Sequence, residues 1–117
     1  MTTGRLLRSK KTTTEFVDFT HASPANTIIR IMPKGRRLAE VRIIVDEVFD
    51  DPTAVASVGT TLDNEQFMKE VENDITKVTE HAVRPGFIDE SNNTTVRIFL
   101  NAGASTQGKA TVYIDYI

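Results

Sequence analysis

The side chains that could support catalysis or bind a metal ion are few and scattered in this sequence of 117 residues. Its two histidines, His21 and His81, lie at or near predicted turns and outside any HxH or HExxH spacing. A zinc site needs three or four good ligands, and the chain has no cysteine to add to these histidines. None of the serines sits in a GxSxG elbow: Ser9, Ser23, Ser57, Ser91 and Ser105. The sequence therefore predicts no metal site and no catalytic residue, and we expect the chain not to be an enzyme.

An acidic stretch and two glycines are further candidate ligand sites in the sequence. The stretch from Asp46 to Asp51 could offer oxygens to calcium or a carboxylate pair to a glycosidase, but it lacks the EF-hand spacing and glycine. Acidic turn residues at the end of a strand are the favoured interpretation. Gly103 and Gly108 do not belong to a GxxxxGK[ST] or GxGxxG phosphate loop and are interpreted as turn residues. No cofactor is predicted.

Two basic clusters are the candidate binding residues. Residues 1–11 contain four cations and no acid, and a second cluster follows Lys34: Arg5, Arg8, Lys10, Lys11, Arg36 and Arg37. The formal net charge of −2 gives no reason to expect specific nucleic-acid binding, and the first cluster has no interleaved aromatic residue. A basic arm on an acidic body predicts contact with another acidic surface. The open alternative is a solvated, disordered terminus.

The rest of the chain has the texture of strands joined by turns. Short runs rich in Val and Ile alternate with Gly, Pro, Asn and Asp, and they predict strands at 12–19, 27–32, 37–47, 55–58, 79–83, 94–101 and 110–116. In the strongest run Val41, Ile43 and Val45 share a period of two, so we expect them to face the core. The runs 94–101 and 110–116 are predicted to form an antiparallel hairpin through the loop 102–108.

Residues 63–78 are the ambiguous segment. Asp63 with Gln66 resembles a capping box, and apolar residues then recur at helical spacing: Phe67, Val71, Ile75 and Val78. Asn73, Asp74 and Thr76 weaken the second half. The pattern predicts a short helix near 64–71, followed by a loop or strand.

Together these elements predict an all-β protein, with an antiparallel β-sandwich as residues 12–117 and a flexible basic arm as residues 1–11. Six to eight short strands fit either a jelly roll or an immunoglobulin-like sandwich. No apolar run approaches the roughly 20 residues of a membrane helix. The N-terminus lacks the apolar core of a secretory signal, so we expect a soluble chain made in the cytoplasm and no membrane partner.

Three short motifs resemble a known class of protein. They are the run from Val41 to Asp51, the pair Val58-Gly59, and the closing residues 103–116, which include Thr106-Gln107-Gly108. In this order they resemble the "I.V.E.FD", "VG" and "TQG.A.V.I.Y" strands of head decoration, or cement, proteins of tailed bacteriophages. The resemblance covers residues 41–117.

The resemblance implies a jelly-roll sandwich on the outer surface of a phage capsid, made in the host cytoplasm. Such a protein binds where major capsid proteins meet, stabilises their contacts, and acts as a dimer or trimer. The basic arm would then lie along acidic capsid surface and become ordered on binding. Two alternatives remain: a tail or fibre module that binds carbohydrate or another tail protein, and a small hydrolase. Aromatic residues are scarce, and Tyr113 and Tyr116 fall on opposite faces of one strand. Both features disfavour the carbohydrate-binding module.

Overall fold

The computed structural model describes residues 12–117, which form eight strands and one short 3₁₀ helix. The strands are β1 (Thr13–Thr20), β2 (Asn26–Met32), β3 (Arg37–Glu47), β4 (Val55–Gly59), β5 (Glu80–Val83), β6 (Phe87–Ile88), β7 (Thr94–Asn101) and β8 (Lys109–Tyr116). The seven predicted strands are confirmed. The alternation of β-branched residues with polar ones suits a strand that is buried on one face, which is why these runs were recognisable.

The strands form two antiparallel sheets. The large sheet has the order β1-β8-β3-β5, with β6 also paired to β3, and the small sheet has the order β2-β7-β4. Successive strands alternate between the sheets, except that β5 and β6 both lie on β3. The first and last strands become neighbours in the large sheet. This winding is that of a jelly roll, so the predicted all-β sandwich is confirmed.

The core lies between the inner faces of the two sheets. Val41, Ile43 and Val45 of β3 are at most 2% exposed, as their period of two predicts. Val96 and Ile98 of β7 are buried on the small sheet.

The helix predicted near 64–71 is wrong. Residues 64–69 are irregular, and a three-residue 3₁₀ helix follows at Glu70–Glu72. The backbone N–H groups of Phe67 and Met68 donate to the carbonyl of Val58, 2.9 and 3.0 Å away, and both side chains are buried. Pairing with β4 and burial of these two residues outweigh the local helical period.

The predicted hairpin of 94–101 with 110–116 is also wrong. β7 lies in the small sheet between β2 and β4, whereas β8 lies in the large sheet between β1 and β3. The loop 102–108 therefore crosses from one sheet to the other. Alternation shows which face of a strand is buried, and it does not identify the strand that pairs with it.

Candidate partner-binding surface

Four of the six predicted binding residues lie outside the described part of the chain: Arg5, Arg8, Lys10 and Lys11. The described chain starts at Thr12, directly before β1. The other two predicted residues belong to the turn between β2 and β3 and to the start of β3.

Arg36 is bound into the fold. The turn before it has Gly35 at φ +80°, a conformation that glycine adopts without strain. The guanidinium of Arg36 lies 4.7 Å from the ring centroid of Tyr116, and its Nη2 donates to Thr13 Oγ1 at 3.3 Å. Arg36 therefore ties the β2–β3 turn to β1 and β8, which leaves it half-buried.

Arg37 is exposed and lies beside the point where residues 1–11 join the domain. Its backbone exchanges two hydrogen bonds with Ile117, at 3.0 and 2.9 Å. Its side chain lines a groove of about 440 Å³ together with Thr12, Arg84 and the carboxylates of Glu40 and Asp115. The fold thus brings the second basic cluster next to Thr12, the residue that follows the first cluster, although some 25 residues separate the two clusters in sequence.

We call this end of the sandwich, with Lys34, Arg36, Arg37 and Arg84, the basic end; Arg84 lies 3.7 Å from Glu40, which offsets its charge. The opposite end carries the acidic turn after β3. Strand β3 connects the two ends, and its residues from Arg37 to Glu47 span roughly 33 Å at the usual rise of an antiparallel strand. Residues 12–117 hold ten Lys and Arg against sixteen Asp and Glu, a formal net charge of −6, and the four cations of residues 1–11 bring the net charge of the chain to −2.

The outer face of the large sheet presents a row of three side chains from neighbouring strands, which we call the aromatic row: Phe16 of β1, Tyr113 of β8 and Arg42 of β3. Phe16 and Arg42 are each directly opposite Tyr113 in the strand register. The ring centroids of Phe16 and Tyr113 are 5.6 Å apart, and the Arg42 guanidinium lies 4.8 Å from the Tyr113 centroid. Phe16 remains 59% exposed. The sequence does not indicate this row, because each member is unremarkable in its own strand and the strand register alone brings the three side chains together.

Carboxylates border the aromatic row. Arg42 lies 3.6 Å from Glu40 and 3.8 Å from Asp115, and the Thr14 hydroxyl donates to Asp115 at 2.6 Å. Beyond the other side of the row, Thr111 donates to Asp18 at 2.6 Å. Ion pairs this close to solvent contribute only about 0–1 kcal/mol each, so their main effect is to set the charge pattern of the face.

The acidic turn after β3 holds a loop in place. Asp50 accepts hydrogen bonds from the hydroxyl and the backbone N–H of Thr106, both at 2.7 Å, and Asp51 accepts one from the N–H of Ala104 at 2.6 Å. The N–H of Gly108 donates to Glu47 at 3.1 Å. Two of the three motifs behind the cement-protein resemblance are therefore hydrogen-bond partners of each other. The prediction of acidic turn residues fits this arrangement.

These hydrogen bonds stabilise the charged carboxylates. The Thr106 hydroxyl, followed by its N–H, holds the pKa of Asp50 below its ordinary value of 3.8. The N–H of Ala104, followed by the N–H and hydroxyl of Thr53, does the same for the pKa of Asp51. Within residues 12–117 no three His, Cys, Asp or Glu side chains are grouped closely enough to hold a metal ion.

The two histidines lie on different elements and do not form a common site among the described residues. His21 follows β1 in the turn to β2, and His81 lies on β5 opposite Ile43. His21 Nδ1 and His81 Nε2 are both buried without a hydrogen-bond partner among the described residues. They are therefore more enclosed than the surface polar residues that the sequence suggests.

A second groove, of about 390 Å³, lies between the loop after β4 and the loop before β7. Its lining is mostly polar and includes Asn92, Asn93, Gln66 and Arg97, with the ring of Phe87 at one side. Arg97 donates from Nη1 to Asn26 Oδ1 at 2.8 Å, and its Nε is buried without a partner among the described residues. Within the described residues, no helix is long and apolar enough to cross a membrane.

Comparisons with known proteins establish the fold. No family model matches the sequence, and no curated protein matches it. A chain in the cyanophage Pam1 capsid asymmetric unit is 18% identical, with a TM-score of 0.64 over 90% of this chain and 83% of that chain. A chain in the acidic stable capsid structure of Helicobacter pylori bacteriophage KHP30 is 13% identical, with a TM-score of 0.72 over 92% of this chain and 87% of that chain. The jelly roll described above is therefore shared along nearly its whole length with chains of two phage capsid structures.

Proposed function

We propose that this chain is a virion structural protein that binds the outside of a phage capsid and stabilises contacts between major capsid proteins. The observation that carries the proposal is the fold likeness to chains in two phage capsid structures, which extends over nine-tenths of the chain. The three motifs that resemble those of cement proteins support the same role.

The surface features of the domain suit a binding role. The two grooves described above are open to solvent, whereas the outer face of the large sheet is broad and carries an exposed aromatic side chain, Phe16. Bridging two subunits of a shell needs such a contact surface and needs no chemical step. Every interaction that spans two capsid subunits raises the free energy needed to separate them.

The basic end and residues 1–11 are the proposed contact with acidic capsid surface. Arg5, Arg8, Lys10 and Lys11 join the domain at Thr12, next to Arg37. Five cations would then act on one region of the partner. A segment that becomes ordered on binding can cover a large surface, at a cost in conformational entropy.

Co-sedimentation tests the function directly. Purified protein is mixed with DNA-free capsids assembled from the major capsid protein encoded in the same genome, and the bound copies per capsid are counted. Saturable binding that raises the temperature of capsid disruption is the expected result. Capsids that sediment without the protein at saturating concentrations would exclude the proposal.

The basic contact is tested with charge variants in the same assay. Deletion of residues 2–11 and Arg37→Glu should each reduce occupancy, and the difference from the unmodified chain should shrink with added salt, since screening weakens the attraction that the variants lack. Lys69→Glu makes the same charge change at an exposed lysine outside the basic end and should bind as the unmodified chain does. Equal occupancy for all four proteins would show that neither residues 1–11 nor Arg37 contributes.

The second groove favours one other candidate, a tail or fibre module that binds carbohydrate. Its amide side chains, its arginine and the edge of Phe87 are groups that bind sugar hydroxyls and ring faces. A glycan array separates the two functions: selective glycan binding that is lost in Asn93→Ala favours the tail module, and binding to capsids alone favours decoration.

A further inference from the structure

The edges of the two sheets differ in how they are protected from pairing with another chain. The β5–β6 edge is interrupted between its two short strands, where Pro85 cannot donate a ladder hydrogen bond. The register of β2 shifts after Ile28, which marks a bulge. The edge of β4 is bridged at Val58 by Met68. Breaks, bulges and covering segments are devices by which proteins prevent association through strand edges.

The outer edge of β1 has none of these devices. All eight residues from Thr13 to Thr20 pair with β8 in one uninterrupted register, and the strand contains neither proline nor lysine. No other strand of residues 12–117 pairs with its outer edge. Glu15 is the one charge on the core side of β1, and Arg30 offsets it at 3.9 Å. An edge of this length presents a row of N–H and C=O groups that can pair with a further strand.

We propose that this edge of β1 pairs with the same edge of a second copy of the chain, antiparallel and about a two-fold axis. The large sheet would then continue from one protomer into the next. A two-fold contact is self-complementary, so one unprotected edge is enough to form it. The inference does not depend on the proposed function.

The side chains of β1 select one register. With Phe16 opposite the partner's Phe16, Thr14 faces the partner's Asp18 and Glu15 faces the partner's Val17, so no two carboxylates are opposed. The adjacent registers that keep the faces aligned place Glu15 opposite the partner's Glu15, or Phe16 opposite the partner's Asp18. Like charges directly opposite each other destabilise a strand pair, and an aromatic pair stabilises it.

This register also completes the aromatic row. Phe16 is 59% exposed in the single chain, and among the described residues its ring contacts that of Tyr113 alone. Across the two-fold axis the row would run from Arg42 through Tyr113 and Phe16 to the same three side chains of the second copy. The exposed aromatic surface at the edge of the sheet would thereby become buried.

Cross-linking tests the register. The chain has no cysteine, so Phe16→Cys introduces a single thiol. Directly opposed strand residues have Cβ atoms about 4.5–5.5 Å apart, close to the range that a disulfide spans. Oxidised glutathione should therefore convert this variant to a covalent dimer, whereas Leu62→Cys, at a side chain 97% exposed and away from the edge, should stay monomeric on a denaturing gel. Equal cross-linking of the two variants would overturn the proposed register.

Sedimentation velocity of the full chain tests the association itself, with no capsid present. A dimer is expected, and Phe16→Lys should raise its dissociation constant about tenfold or more by opposing two like charges at the axis. Leu62→Lys is the matched control and should leave the constant unchanged. A chain that stays monomeric at every concentration, or a dimer insensitive to Phe16→Lys, contradicts the proposal.

Deletion of residues 2–11 tests whether these residues, rather than a second copy of the chain, occupy the edge of β1. If the second copy pairs with β1, the shortened chain dimerises as well as the full chain does. A full chain that is monomeric and a shortened chain that dimerises would show that residues 1–11 cover the edge instead, and the proposal would fail.

Discussion

Asp50 and Asp51 hold a loop that lies 53 to 57 residues later in the chain. Asp50 is exposed and Asp51 is partly exposed, so both carboxylates can stay charged without a salt-bridge partner. Their effect comes from geometry, because Asp50 accepts three hydrogen bonds from the loop 102–108 and Asp51 accepts one, and together these bonds fix the crossing between β7 and β8. Residues that look like an ordinary acidic turn in the sequence therefore determine how the last strand enters the large sheet.

The stability of the domain should fall in acid because of these carboxylates. The folded-state pKa values of Asp50, Asp51 and Asp74 are lowered, the last by hydrogen bonds from Thr76. A lowered folded pKa stabilises the protein above the unfolded value, near 3.8, and this contribution is lost as the pH falls through the folded pKa. Urea midpoints measured from pH 6 to pH 2 should decline most steeply below about pH 4.

Asp50→Asn is the matched variant for this pH dependence. It keeps the shape of the side chain and removes the titrating charge, so its midpoint should be lower at pH 6 and should decline less between pH 4 and pH 2. A variant with the same slope as the unmodified protein would show that Asp50 does not contribute to the acid sensitivity.

Gly108 is required by the packing of Phe49. A Cβ at position 108 would lie 2.5 Å from the Phe49 ring, and the φ of +147° already disfavours other residues. Gly108→Ala should destabilise the fold by about 1–3 kcal/mol more than Gly86→Ala, because Gly86 also has positive φ but has open space around it. Chemical denaturation of the two variants measures the difference, and equal losses would contradict the packing argument.

Strand β3 shows how one element serves two surfaces. Its even-numbered residues Arg42 and Ile44 face outward, with Arg42 in the aromatic row, and Val41, Ile43 and Val45 lie in the core. The strand also pairs with β8 on one side and with β5 and β6 on the other. Because β3 is 11 residues long, it connects the basic end of the sandwich to the acidic turn at the opposite end.

Two neighbouring isoleucines of β3 provide a test of this alternation. Ile43→Ala removes a fully buried side chain and should cost about 2–5 kcal/mol of unfolding free energy. Ile44→Ala truncates a partly exposed side chain on the outer face and should cost about 1 kcal/mol or less. Similar losses in urea denaturation would show that the two faces are not distinguished as described.

The whole molecule is held together by contacts between distant parts of the chain. β8 is the central strand between β1 and β3, and its pairing with β1 joins Thr13 to Tyr116. The jelly-roll winding therefore closes only when both ends of the domain have come together. Chain entropy must be lost over about 100 residues before this pairing contributes any stability.

Refolding should be slow for a domain of this size. Proteins dominated by non-local strand pairs fold in milliseconds to seconds, whereas those with local contacts fold up to about a thousand times faster. Stopped-flow dilution from urea should show a main phase in the millisecond-to-second range. Complete refolding within microseconds would contradict the topology.

Much of the architecture could be predicted from residues alone. The seven predicted strands exist, and Val41, Ile43 and Val45 are in the core. β6 was missed because a two-residue strand is too short to show a period. The helix near 64–71 was predicted wrongly because the period of Phe67 and Val71 is local, and the bridge of Met68 to β4 outweighs it.

For the binding surface, the sequence by itself identified the cations, among them Arg36 and Arg37, and it determined where strands begin and which of their faces is apolar. The tertiary structure decided which strands pair and which side chains therefore come into contact. It placed β7 and β8 in different sheets, aligned Phe16, Tyr113 and Arg42 in one row, and left the edge of β1 open among the described residues. The physical reason is that periodicity arises from each residue and its near neighbours, whereas strand pairing is selected by the free energy of the whole core.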